Sequence, residues 1–206
     1  MLKVGLTGGL ASGKSHIGRE MSRLGCHVAQ ADQMGHAILA ADGEGFAATI
    51  EEFGCEILGD DGEINRKALG RIVFADPERL AALNAIVHPH VWARQQAFFR
   101  EVAALDPDGI AVVEAAIMIE VGSHTRYDKL VVAWCPESVQ IERFMRRDSA
   151  TEADARQRLA QQMPLDKKRE FADFLIDTSG TLDETNQQVQ TLVEELRAVA
   201  LEPAHT

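Results

Sequence analysis

No run of apolar residues in this sequence approaches the ~20 needed to cross a bilayer, and the N-terminus carries neither a basic leader nor a small-residue cleavage site. The expectation is a chain that begins at Met1, stays in the cytoplasm and has no membrane partner. Cysteine is scarce. Cys26, Cys55 and Cys135 are odd in number, widely spaced and free of any CxxC pair, which argues against a disulfide framework and a structural zinc site. Basic charge is also short: 21 Lys and Arg stand against 32 Asp and Glu, a formal charge of −11. Such a surface disfavours broad nucleic-acid binding, which requires phosphates to be neutralised over an extended basic face. Internal repeats and low-complexity tracts are absent.

The composition that remains is that of a folding chain, 46% apolar and 26% charged over 206 residues, enough for one good core with insertions or a small satellite. The basic residues are not spread evenly. Residues 140 to 170 hold 8 of the 21, among them Arg143, Arg146, Arg147, Lys167 and Lys168, against 6 acidic ones. A polyanionic ligand would be drawn there.

Hydrophobic spacing divides the chain. Leu2, Val4 and Leu6 read as a strand, a helix follows to Gly25 as a left-handed cap, and "HVAQAD" reads as a second strand. From Asp32 to about Leu105 the spacing is helical throughout, with Asp76 and Pro77 as a helix start and separate helical segments on either side of "HPH" at 88 to 90. "IAVVEAAIMIE" at 110 to 120 and "KLVVAW" at 129 to 134 read as strands buried on both faces. The segment from Pro136 to about Ala172 is helical, with a capping box at Thr151 and Asp154 and a break at Pro164. "FLIDT" closes the strands, a helix opens near Thr181 with Glu184 completing its box, and "EPAHT" should fray. Five strands joined by helical crossovers predict an α/β fold with a parallel, doubly wound sheet.

Gly8, Gly13, Lys14 and Ser15 fit G-x-x-x-x-G-K-[ST] between a strand and a helix, the context this motif requires. Backbone N–H groups of such a loop and the positive end of the helix wrap phosphates, so Gly9, Leu10, Ala11, Ser12, Gly13, Lys14, Ser15 and His16 are the expected ATP-binding run. Lys14 would reach the β- and γ-phosphates and Ser15 would ligate Mg²⁺. The N-K-x-D motif of GTPases is missing, and no oligomerisation segment suggests a motor or chaperone ATPase. A small-molecule kinase fits best, with an acceptor pocket and a lid that excludes water. Position alone leaves Asp32 as either a general base or the N-cap of a helix starting at Gln33. Arg143 shares a helix face with Arg146 and Arg147, where guanidinium groups could fold over a triphosphate or simply pair with Glu142 and Asp148.

In order along the chain, "VGLTGGLASGKS", "AD" at 31 to 32, "NAIVHPHV", "IMIE" at 117 to 120, "QIERFMRRD" and "RLAQQMPLDKKREFADFLID" resemble the dephospho-coenzyme A kinase family. The resemblance implies a three-layer P-loop NTPase fold with a five-stranded parallel sheet flanked by helices. It divides the chain into a core of 1–31, 106–137 and 173–201, a helical substrate-binding insertion at 32–105 and a lid at 138–172. It implies ATP-dependent phosphorylation of the ribose 3′-hydroxyl of dephospho-coenzyme A, with Mg²⁺, by a monomer or weak homo-oligomer. Asp32 is then the general base, Lys14 and Arg143 are catalytic, and Arg143 and Arg147 are ATP-binding. Asp32, His88, Pro89, Gln162 and Lys168 fall on the substrate side. Gln30, Ala116, Met118, Ile119 and Thr178 depart from the family pattern, Thr178 standing where asparagine is usual. The rivals are an ATP-binding regulator that transfers no phosphate and a kinase of another small hydroxyl compound.

Overall fold

The computed structural model describes residues 1–201, so the expectation for "EPAHT" lies outside the described residues. The elements run β1 (Leu2–Gly8), α1 (Lys14–Arg23), β2 (His27–Gln30), α2 (Ala31–Ile38), α3 (Phe46–Phe53), α4 (Arg66–Ala75), α5 (Pro77–Leu105), β3 (Ile110–Glu114), β4 (Lys129–Trp134), α6 (Glu137–Asp148), α7 (Glu152–Leu159), α8 (Leu165–Lys168), β5 (Phe174–Asp177) and α9 (Leu182–Leu201). The strands form one five-stranded parallel sheet in the order β2-β3-β1-β4-β5. β1 lies at its centre, with Leu6 in register with Glu114 of β3 and Gly8 with Ala133 of β4. The chain turns to opposite sides of β1 to make β2 and β4, so the loop after β1 opens at a topological switch point, where α/β sheets bind ligands.

Val4, Leu6, Val112, Val113, Val131 and Val132 are fully buried, which is why these strands read as unbroken apolar runs rather than alternating ones. Each such side chain is worth about 1.5–3 kcal/mol on burial. Ile17 and Met21 of α1 and Val189, Leu192, Val193 and Leu196 of α9 join the same core. Both capping boxes form, Thr151 with Asp154 and Thr181 with Glu184, and Gly25 takes φ 92°. Among the described residues no helix is long and apolar enough to cross a membrane.

Three local expectations are corrected. "IAVVEAAIMIE" is a strand only to Glu114, after which residues 115–122 turn. Met118 and Ile119 owe their apolar character to burial against Leu130 and Val132, not to a strand. The histidine-proline motif does not separate two helices, since α5 runs through Pro89. Proline removes the hydrogen bond to the carbonyl four residues back. Here that carbonyl belongs to Ala85, an exposed residue, so solvent can satisfy it. Finally, β2 stops at Gln30 and α2 begins at Ala31, which puts Asp32 in the first helical turn rather than at a strand end.

The chain divides into two compact units, Met1–Ala29 with Phe99–Thr206 and Gln30–Phe98. The second, helical unit has its own small core of Phe53, Ile57, Ile64, Leu69 and Val73. Its boundary falls short of Leu105 because Phe99 and Val102 in the last turns of α5 are buried in the first unit, with Phe99 edge-on to Tyr127 at 6.2 Å between ring centroids.

Candidate active site

The loop between β1 and α1 closes tightly on itself. Gly13 stands at φ 84°, in the left-handed region that an L side chain resists, and lets α1 start directly at Lys14. Lys14 and Ser15 therefore sit in the first turn of a helix whose N-terminal N–H groups are open to an anion. Both side chains converge on Glu114 at the end of β3: Ser15 Oγ donates to Glu114 Oε1 at 2.7 Å, and Lys14 Nζ stands 3.4 Å from the same oxygen. Glu114 is 5% exposed, and its Oε2 has no hydrogen-bond partner among the described residues. A buried carboxylate oxygen with no partner is costly, and it marks where another group is needed.

Glu114 is the residue that sequence reasoning missed. Its signal was present, a charge closing an otherwise apolar strand, and it was hidden because the run was read as one long strand to residue 120.

Arg143 reaches the loop through Thr178. Its Nη1 donates to Thr178 Oγ1 at 3.1 Å and its Nη2 to the Thr178 carbonyl, while the Thr178 hydroxyl donates to the Ser12 carbonyl at 2.8 Å. Thr178 is 3% exposed and forms a buried link between α6 and the phosphate loop. Cys135 lies against the same group. Burial pushes its thiol above the ordinary value, opposed by hydrogen bonds with Thr178 and Arg143. Arg147 does not join Arg143. Its guanidinium turns back onto Asp148 at 2.7 Å and remains exposed. His16 points to α9, where its Nε2 meets Asn186 Oδ1 at 2.8 Å.

Gln162 and Lys168 are both spent inside the first unit. The Gln162 Oε1 accepts from the Leu10 N–H at 2.9 Å. Lys168 is fully buried, its ammonium donating to the Ala116 carbonyl at 2.6 Å and pairing with Glu120 at 2.8 Å. Burial lowers the Lys168 pKa from its ordinary value, the Glu120 carboxylate opposing that shift and the charge of Lys14 adding to it. Glu120 also accepts from the Met163 N–H at 3.0 Å, so the segment between α7 and α8 is tied to the turn after β3. Lys168 thus presents no exposed surface in this structure, its ammonium being taken up by the Ala116 carbonyl and Glu120.

Asp32, His88 and Pro89 belong to the second unit. Asp32 is exposed in the first turn of α2, whose N-cap is Gln30, so the alternative reading of Asp32 as a cap falls away. Gln30 instead accepts from Gln33 at 2.6 Å. His88 and Pro89 are exposed on α5.

A lysine and a serine hydroxyl opening a helix after a glycine loop, with a buried carboxylate on the neighbouring strand, are the parts that P-loop phosphotransferases use to hold a triphosphate. Residues 2–184 match the family model described as dephospho-CoA kinase, and the chain belongs to that family of kinases. It is 40% identical to a dephospho-CoA kinase of Geobacter metallireducens over 195 residues, covering 95% of this chain and 96% of that one. The identity to a Streptomyces avermitilis dephospho-CoA kinase is 37%, covering 100% and 99% of the two chains. Among solved structures, a dephospho-CoA kinase from Campylobacter jejuni superposes with a TM-score of 0.69 at 25% identity, over 97% of this chain and 98% of that one.

Proposed function

We propose that this chain transfers the γ-phosphoryl group of ATP to the ribose 3′-hydroxyl of dephospho-coenzyme A, giving coenzyme A and ADP. The observation that carries this reading, beside family membership, is the convergence of Lys14 and Ser15 on buried Glu114 at the mouth of the phosphate loop. In the nucleotide complex Lys14 leaves Glu114 for the phosphates, and the loop N–H groups and the α1 terminus hold the charge that develops there. Arg143, already anchored beside the loop through Thr178, adds a second cation; Arg147 reaches the same charge by releasing Asp148. Asp32 is the general base. It accepts the 3′-hydroxyl proton as the ribose oxygen bonds to the γ-phosphorus and the bond to the ADP oxygen breaks.

The oxygen set at the loop fits a magnesium ion. Ser15 Oγ and the Glu114 carboxylate adjoin, one carboxylate oxygen is unpartnered, and hard oxygens with few protein ligands suit this cation. When bound it would neutralise charge between the β- and γ-phosphates. The rest of the assignment follows the division into a core of 1–31, 106–137 and 173–201, an acceptor-binding insertion at 32–105 that includes His88 and Pro89, and a lid at 138–172. We place the reaction in the cytoplasm, carried out by a monomer or weak homo-oligomer.

The test follows ADP release from ATP and Mg²⁺ with and without dephospho-coenzyme A, with the product identified by mass. Acceptor-dependent ADP matched by coenzyme A supports the reading. ATP binding without acceptor-dependent ADP would overturn it in favour of a nucleotide-binding regulator or a different acceptor. Arg143→Ala should lower turnover more than it weakens ATP binding; an unchanged turnover number would remove Arg143 from the mechanism.

A further inference from the structure

The tip of the phosphate loop is held from outside the loop. Leu10 has one backbone donor and one backbone acceptor, and side chains of the 137–168 segment take both. Its N–H donates to Gln162 Oε1 at 2.9 Å, and its carbonyl accepts from Gln140 Nε2 at 2.6 Å. The backbone partner fixes the orientation of each amide, since an N–H can meet only the amide oxygen and a carbonyl only the amide nitrogen.

Three observations separate this arrangement from a chance surface contact. Gln140 is 3% exposed, and a buried amide is stable only when bonded. Gly9 clears its path, because a Cβ at Gly9 would stand 2.6 Å from Gln140 Nε2. Ala11, the next residue after Leu10, has φ 52°, a backbone state that a non-glycine residue keeps only when its surroundings impose it. The side chains of Leu10 and Ala11 complete that hold by packing against Ile141, Phe144 and Ala155 of the lid helices.

We infer that Gln140 and Gln162 are positioning residues for phosphoryl transfer: they grip the Leu10 peptide from both sides and lock the phosphate loop in the shape that receives ATP. The grip also couples the loop to α6. Gln140 and Arg143 are three residues apart on one helix face, the first bonded to Leu10 and the second linked through Thr178 to Ser12. Helix α6 therefore fixes the loop on both sides of Ala11, and the seating of Arg143 and the form of the loop change together. The inference rests on reading the chain as an ATP-dependent kinase, but it is read out by nucleotide affinity alone.

The opposite polarity of the two amides supplies the experiment. ATP affinity is measured by calorimetry on four folded variants: Gln140→Glu, Gln140→Met, Gln162→Glu and Gln162→Met. Gln162→Glu keeps an acceptor for the Leu10 N–H and should bind ATP more tightly than Gln162→Met, by about fivefold or more. Gln140→Glu turns an acceptor onto a carbonyl oxygen and should bind more weakly than Gln140→Met by a similar factor. A negative charge beside the loop should weaken ATP binding at both positions, though more at buried Gln140 than at half-buried Gln162, so tighter binding by Gln162→Glu than by Gln162→Met runs against charge and reports hydrogen-bond polarity. The same order at both positions would show that charge governs the effect and would overturn the grip. So would four affinities equal to that of the parent. If Gln140→Glu fails to fold, the Gln162 pair alone decides, because a Gln162→Glu affinity no higher than that of Gln162→Met would show that the bond to Leu10 does not hold the loop for ATP. A parent protein that binds ATP yet makes no coenzyme A would defeat the proposed function and leave this comparison intact.

Discussion

In the first unit, strands distant in sequence bring Leu6 beside Glu114 and Gly8 beside Ala133; in the second, a core is made from residues that lie between Phe53 and Val73. Charge is used differently in the two. The sheet unit buries some of it: Glu114 is 5% exposed and Lys168 is fully buried, the first paired with Lys14 of the phosphate loop and the second with Glu120 in the turn after β3. The helical unit keeps its ion pairs at the surface, Arg79 with Glu52 and Arg94 with Glu44, both partners substantially exposed. Buried charges cost several kcal/mol each unless their partners are pre-set, so they are retained where a fixed electrostatic field is useful. This difference supports the proposal that phosphate chemistry belongs to the sheet unit, with Asp32 as the one group proposed for it in the helical unit.

That exception gives the largest expected effect. Asp32→Asn should slow phosphoryl transfer by about 10² to 10⁴ while leaving ATP affinity near that of the parent. Single-turnover transfer from radiolabelled ATP measures it, and a parent-like rate would return all of the chemistry to the sheet unit.

The next pair of variants sets one unit against the other. Glu114→Gln removes the charge that pairs with Lys14 and should cost about 3–5 kcal/mol of stability in the nucleotide-free protein. Phe53→Ala empties a 2% exposed core position and should cost a similar amount, about 3–5 kcal/mol. Urea unfolding measures both losses. Only Glu114→Gln should also change Mg²⁺-dependent ATP affinity, and an equal loss of affinity in Phe53→Ala would dissolve the distinction between the units.

Much of this division could be read from the sequence, for reasons that differ by residue. The phosphate loop was legible because its chemistry fixes residue types at fixed spacing, and the parallel strands because burial on both faces leaves an unbroken apolar run. The capping boxes at Thr151 and Thr181 were legible because a cap is local. What escaped were contacts between distant positions. Glu114 is defined by what β1 and α1 bring to it, Thr178 by Arg143 and Ser12, and Gln140 by a loop peptide 130 residues away. The end of β3 was misplaced because Met118 and Ile119 are apolar for packing, which a periodicity reading cannot tell from a strand. The helical segments on either side of "HPH" are one helix, because a helix can carry a proline where the freed carbonyl belongs to an exposed residue.

Two smaller effects sharpen the contrast between buried and surface charge. Burial holds the Lys168 pKa below its ordinary value of 10.5, so the native state releases that proton before the unfolded chain does. The unfolded state then binds more protons between the lowered value and 10.5, and stability gains a positive increment as pH rises through that window. Its slope is bounded at about 1.4 kcal/mol per pH unit. Lys168→Met should remove this increment from the pH dependence of urea midpoints; an identical profile would mean that Glu120 fully compensates burial. Arg94→Ala, which breaks a bidentate but exposed pair with Glu44, should cost less than about 1 kcal/mol, and most of that should vanish in high salt. A loss above about 2 kcal/mol that persists in salt would show that the helical unit also depends on pre-set charge, and the contrast would then rest on Glu114 and Lys168 alone.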